Sequence, residues 1–253
     1  NKINVVDNKI IPFDNTDVIL NNNIITFTNN GDYYLEYITS DNVNITINIE
    51  DNVCVQLFEY SNNNDINTNI TYNLGKNSSL IISKFYYNDN TNEEINIYLN
   101  KKNANIKYNF SSISKNHDNY LINIYHNDST TNSDIFNRTI AKENSSNNFD
   151  INSYVENKIL DCYLNQSTKI ITLGDSNNKI NPNMFTHDNS VTAIHASVIG
   201  NVNEEELFYL MSRGISYNEA IKIIIKGIIL SNINPNMEYR EKILNILEEV
   251  GGE

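Results

Sequence analysis

The stretch VNITINIEDNVCVQLF, residues 43–58, decides how the chain is read. Val43, Ile45, Ile47 and Ile49 alternate with Asn44, Thr46, Asn48 and Glu50. That period of two turns one face of a β-strand inward and the other to water. A second apolar run, Val53–Phe58, follows at once. Similar runs recur at Leu80–Ser83, Ile95–Leu99, Ile106–Phe110, Leu121–Tyr125, Ile151–Val155 and Ile170–Leu173, mostly ten to fifteen residues apart and with almost no helical periodicity between them. The pattern suits a sandwich, a barrel or a β-solenoid. Turn chemistry tilts the choice. Two-residue hairpins favour Asn-Gly or Asp-Gly, yet Asn30-Gly31 is the only such dipeptide. Asparagine tolerates the left-handed backbone that sharp solenoid corners need, and the connectors here are Asn-rich. No fixed repeat motif is present, so the expectation is a mostly β chain with an irregular β-solenoid core over residues 1–199.

After Gly200 the period changes to 3.6. Asn203 is a good N-cap with Glu206 three residues on, and Val202 and Leu207 occupy the positions of a hydrophobic staple. This predicts a first helix to about Ser212, stopped by Gly214. Ser216 and Glu219 form a capping box for a second helix carrying Ala220, Ile221, Ile224, Ile225, Ile228 and Ile229. Asn234-Pro235 leads into a third, with Ile243, Leu244, Ile246, Leu247 and Val250 as its apolar stripe. Residues 200–253 therefore read as a C-terminal helical domain, too small to bury its apolar faces alone.

Composition narrows the partners. The chain has 253 residues and a formal charge of −13, from 18 Lys and Arg against 31 Asp and Glu. That balance repels phosphate backbones, so nucleic acid is not expected. No window approaches 18 consecutive apolar residues and no leader is evident, so a cytoplasmic chain with no membrane partner is expected. The 52 asparagines rise together with Ile, Lys and Tyr as compositional bias would have it, which makes any single Asn weak evidence. They also create sequons such as Asn44-Ile45-Thr46 by chance. Two cysteines, Cys54 and Cys162, do not make a disulfide framework.

The run HASVIGNVNEEELFYLMSRGISYNEAIKIIIKGII, His195 to Ile229, resembles the C-terminal signature of the SufB/SufD family of iron–sulfur cluster assembly proteins. Its core, ELFYLMSRGI, is long, ungapped and chemically mixed. Upstream, Asn181-Pro182-Asn183-Met184 stands in register with a family segment, and His126, Ser133 and Phe149 resemble the family's central β region. The resemblance is close over residues 185–230 and reaches back to about 124. It implies a right-handed parallel β-helix with a C-terminal helical domain. It also implies a role in iron–sulfur cluster assembly with a SufC-like ABC ATPase and a second SufB- or SufD-like chain, identical or different. Family members usually carry more N-terminal sequence, so a trimmed start is expected.

Clusters need thiolates or imidazoles on an accessible surface. On residue pattern alone, His195 within VTAIHASVIG reads as a satisfied core residue; the resemblance matches it to a family histidine at the SufB–SufD interface and makes it the first candidate for iron or a transient cluster. Where SufB scaffolds carry a cysteine, the ungapped count falls on Gln166-Ser167, and a serine hydroxyl is a poor ligand. Ala196 also replaces a family glutamate. These departures point to a SufD-like or degenerate SufB-type partner subunit, which by itself holds a cluster only transiently or not at all. Cys162 is a weaker metal candidate and reads first as a buried thiol; Cys54 reads as core, and His187 and Asp188 as solvated loop residues near His195. In the first helix Leu207, Phe208, Leu210 and Met211 read as core by spacing. The resemblance adds that this domain docks the ATPase, which makes Leu207, Phe208, Tyr209, Arg213 and Gly214 partner-binding candidates. No catalytic residue is expected, and without a Walker-type motif ATP hydrolysis belongs to the partner. The rival readings are a carbohydrate-active enzyme on a β-helix and a structural or adhesive β protein.

Overall fold

The computed structural model describes residues 1–12, 15–38, 42–187 and 190–250. In chain order the strands are β1 Lys2–Val6, β2 Lys9–Ile10, β3 Val18–Asn21, β4 Ile24–Phe27, β5 Gly31–Tyr37, β6 Val43–Ile49, β7 Cys54–Ser61, β8 Asp65–Leu74, β9 Ser79–Tyr86, β10 Asn90–Leu99, β11 Asn105–Ser114, β12 His117–His126, β13 Asn132–Ala141, β14 Ser146–Val155, β15 Tyr163–Thr172, β16 Asn177–Thr186 and β17 Thr192–Asn201. Three helices follow: α1 Glu204–Ser212, α2 Tyr217–Asn232 and α3 Met237–Val250. From β4 onward, successive strands alternate between two sheets, ordered β17-β15-β13-β11-β9-β7-β5-β1-β2 and β16-β14-β12-β10-β8-β6-β4-β3. The chain thus winds as a parallel β-solenoid of about 6 turns. Each turn consumes two of the steps seen in the sequence.

Strand parity builds the core. Ile45, Ile70, Ile95, Ile122 and Ile151 stack in register across β6, β8, β10, β12 and β14, each almost wholly buried. Between the apolar columns, asparagines on the outer face link strand to strand: Asn123 Nδ2 donates to Asn96 Oδ1 at 3.1 Å, Asn152 to Asn123 at 3.0 Å and Asn183 to Asn152 at 3.0 Å. The corners are asparagine-built too. Asn52, Asn77 and Asn103 have φ of 64°, 54° and 61°, and their carboxamides form a ladder at 2.9 Å per step. Left-handed backbone without glycine is therefore met by the one common side chain that accepts it.

The structure corrects two expectations. Cys54 is exposed, not core, because Val55 and Leu57 take the inward positions of β7. In α1 no residue is fully buried: Leu207 and Leu210 are partly covered, while Phe208 and Met211 are exposed. The helices reach the solenoid mainly through α2 and α3. Ile225, Ile229, Ile243 and Leu247 share one apolar cluster with Phe58, Phe85, Ile113 and Ile140 on the outer face of the nine-stranded sheet. Tyr239 seals this seam, with ring centroids 5.1 Å from Phe58 and 5.2 Å from Tyr60.

The two ends of the solenoid differ. At the N-terminal end short antiparallel pairs, β1 with β2 and β3 with β4, close the sheets. At the other end β16 and β17, ten residues each, are the last strands of their sheets.

Candidate functional site

His195 lies in the middle of β17, opposite Gln166 of β15. Gln166 is 1% exposed and sits in the inward column, so His195 occupies the lumen side at the open mouth of the solenoid, where it is exposed. Among the described residues its ring has no hydrogen-bond partner. Behind it Gln166 donates to Ser153 Oγ at 2.8 Å and to the Asn183 carbonyl at 3.2 Å, tying the two sheets together.

The two free edges are not equivalent. Asn177 N donates to Ser145 O, so alternate residues of β16 from Asn177 on face β14 and Pro182 falls on the outer edge. A proline there removes a donor from the free edge without harming the sheet. On β17, Thr192 N donates to Cys162 O. Ala193, His195, Ser197 and Ile199 therefore present their backbone N–H and C=O groups outward, and β17 contains no proline. Among the described residues no strand pairs with this edge, and a long edge of this kind is a template for another strand. Exposed apolar side chains accompany it, among them Ile194, Val198 and Phe185. Phe185 also ends a stack of rings, Tyr98, Tyr125, Tyr154 and Phe185, spaced 4.8–5.0 Å.

The other sequence candidates are not gathered around His195. Ser167 lies opposite Ala196 but on the outer face, where Arg138 donates to its carbonyl at 3.0 Å and its hydroxyl at 3.2 Å. Cys162 lies four residues along the chain from Gln166, roughly 13 Å away at strand rise. It is buried beside Val155 and Leu164, 3.3 Å from Thr131 Oγ1. Thr131 Oγ1 is in turn 2.8 Å from His126 Nδ1, and His126 Nε2 is 2.9 Å from Ser133 Oγ. Burial lowers His126 to about 4, so its imidazole is neutral and satisfied. His187 is exposed just beyond β16; Asp188 lies outside the described residues. Among the described residues no group of three or more His, Cys, Asp or Glu side chains is placed to hold a metal ion.

On the helices, Phe208 is 75% and Tyr209 57% exposed, and a cleft of about 600 Å³ runs between α1 and α2, lined by Tyr209, Leu210, Ile223 and Gly227 with Glu205 and Glu206 at its rim. The Arg213 guanidinium lies 5.3 Å from the Tyr209 ring centre; its backbone N–H, not its side chain, caps the helix. Gly214, φ +87°, ends α1 in a Schellman turn, with Gly214 N donating to Met211 O at 3.0 Å and Ile215 N to Leu210 O at 3.4 Å. Gly214→Ala meets no neighbouring atom, so its expected cost is purely conformational, about 1–2 kcal/mol, read as a lower thermal midpoint.

Sequence reasoning missed the polar lumen: Glu59, Lys84 and Glu93 are buried at inward positions of β7, β9 and β10. The signal was their parity, since Val55, Leu57 and Glu59, or Ile82 and Lys84, share one face.

The family model described as SUF system FeS cluster assembly, SufBD core domain, matches residues 20–228. The chain belongs to the SufBD family. The iron–sulfur cluster assembly protein SufD of Bacillus subtilis is 25% identical over 134 residues, 52% of this chain and 31% of that protein. A SufBD family protein of Pyrococcus horikoshii is 54% identical over 35 residues, 14% of this chain and 8% of its own. One of Galdieria sulphuraria is 44% identical over 46 residues, 18% and 21% respectively. Each match thus spans under a third of the relative's length. The parallel β-solenoid with C-terminal helices agrees with the fold expected for this SufBD chain. Among the described residues no helix is long and apolar enough to cross a membrane.

Proposed function

We propose that this SufBD chain is an assembly subunit, without catalysis of its own, that pairs through the β17 edge with a SufB- or SufD-like chain. The carrying observation is the open mouth of the solenoid, where an unpaired, proline-free strand holds His195 exposed on the lumen side. Pairing there would bring His195 against the partner's ligands, and iron or a nascent cluster would be the cargo at that seam. With Ser167 turned to the outer face and Cys162 buried elsewhere, β17 offers the His195 imidazole and needs thiolates from its partner, which favours the partner role over the self-sufficient scaffold. The exposed Phe208–Tyr209 face of α1 is the docking surface for a SufC-like ATPase, which would supply ATP hydrolysis.

Coexpression with a SufB-like chain and a SufC-like ATPase, followed by size-exclusion chromatography, tests both contacts. Ser197→Pro removes an N–H from the free edge only, so it should leave the fold intact and abolish pairing of the solenoids. Phe208→Asp should release the ATPase alone. Anaerobic reconstitution of the complex should then give a cluster absorbance that His195→Ala weakens. Wild-type pairing by Ser197→Pro would overturn the edge assignment, and undiminished ATPase binding by Phe208→Asp the docking face.

A further inference from the structure

One row on the outer face of the nine-stranded sheet runs, in register, Tyr34, Phe58, Ser83, Asn109 and Phe136. Two small polar side chains between large rings make a notch. Phe58 and Phe136 are three strand spacings apart, about 14 Å between backbones, wider than one ring sandwiched face to face, so a planar group above Asn109 lies against the adjacent Phe136 ring. The end of α2 and the connector to α3 close one end: Asn232 Nδ2 donates to Phe110 O at 2.8 Å, and Asn234 N to Ser83 Oγ at 3.2 Å. Gln56 and Lys107 stand at the other end. The half-open cleft is about 450 Å³, within the range of small-molecule sites.

Asn109 is 8% exposed and lines this cleft, yet its carboxamide has no hydrogen-bond partner among the described residues. Both of its polar atoms reach the solvent of the cleft, so the carboxamide is open to a ligand. Here a donor and an acceptor are held at the floor of an aromatic slot. The charge around them is balanced: Lys107 lies opposite Asp134 in the ladder, and Asp32 lines the same cleft. A phosphate group in the cleft would meet the Asp32 carboxylate as well as the Lys107 ammonium.

We propose that this notch binds an uncharged planar heterocycle with an amide-like edge, a nucleobase presented as a nucleoside. Asn109 pairs with its donor–acceptor edge, as asparagine does with base edges, and the neighbouring Phe136 ring stacks on it. The site is separate from the β17 edge and from the exposed face of α1.

Titration of the full chain with adenosine, uridine and AMP, followed by saturation-transfer NMR and calorimetry, tests this. At least one nucleoside should bind, AMP no more tightly than adenosine. Asn109→Leu should weaken binding at least about tenfold with an undiminished thermal midpoint, since it replaces an unpaired amide, and Phe136→Leu at the rim should weaken it as well. Failure of both nucleosides to bind at millimolar concentration, or unchanged affinity in Asn109→Leu, overturns the site. Tighter binding of AMP overturns the uncharged class of ligand.

Discussion

Replacing Lys84 with methionine is expected to destabilise the solenoid by about 3–5 kcal/mol, the cost of leaving a buried charge without its partner. Lys84 is fully buried, with its ammonium 2.5 Å from Glu93 Oε1 and 3.4 Å from Glu59 Oε2. Four hydroxyls join the cluster: Tyr37 and Tyr72 donate to Glu59, and Tyr86 at 2.9 Å and Thr68 at 2.8 Å donate to Glu93. Burial pushes the ionisation of all three tyrosines well above the ordinary range, so they remain donors. Methionine conserves most of the volume of lysine and removes only the charge, so the loss reads the electrostatics. Combining Lys84→Met with Glu59→Gln and Glu93→Gln should restore a large part of it, because no uncompensated carboxylate then remains. Urea unfolding at neutral pH measures both, and a single-variant loss below about 1 kcal/mol would show that the ammonium is not what holds the carboxylates.

Asp118→Asn should act in the opposite direction. Asp118 is 3% exposed in the lumen, and burial raises its carboxyl to about 7. The folded chain binds this proton more tightly than the unfolded one, so the stability it contributes is present at low pH and is lost as pH rises from the unfolded value near 4 through 7. The total is on the order of 4 kcal/mol. His126 has the reverse slope. Its folded value of about 4 lies below the ordinary 6.5 of a free imidazole, so its contribution is present above 6.5 and is lost as pH falls toward 4, about 3 kcal/mol in all. Between pH 4 and 6.5 the two slopes nearly cancel in the wild type. Asp118→Asn removes one of them: the variant should gain stability on the order of 4 kcal/mol above pH 8 and show the acid loss due to His126 uncovered. Its new amide has an acceptor within one strand spacing, since Asn147, opposite Asp118 in the ladder, holds a buried carbonyl oxygen without a partner. Thermal midpoints from pH 4 to pH 9 decide the matter, and parallel curves for wild type and variant would refute the assignment.

Much of the fold was legible in the sequence because its rules are local. Alternation in Val43–Ile49 put the isoleucines inside, asparagines met the left-handed corners, and Ser216 with Glu219 made the capping box seen at α2. Cys54 was misread because membership of an apolar run was weighed above its parity within that run. Helical spacing alone places Phe208 and Met211 in the core, whereas α2 and α3 already cover the sheet and leave both exposed.

The candidate site depended on alignment between turns. Residues brought side by side are 25 apart at Asn73 and Asn48 and 31 apart at Asn137 and Thr168, because the corners differ in length, so the chain has no fixed period from which columns can be counted. The sequence by itself determined strands, their inward faces, the corner chemistry, the helix caps and the family motif, all of which rest on neighbours within a few residues. Only the tertiary structure decided that Gln166 stands behind His195, that Ser167 faces the other way, and that Pro182 blunts one free edge while the other stays open. Those relations depend on the summed lengths of intervening corners and on which strand comes last, and no local pattern encodes either.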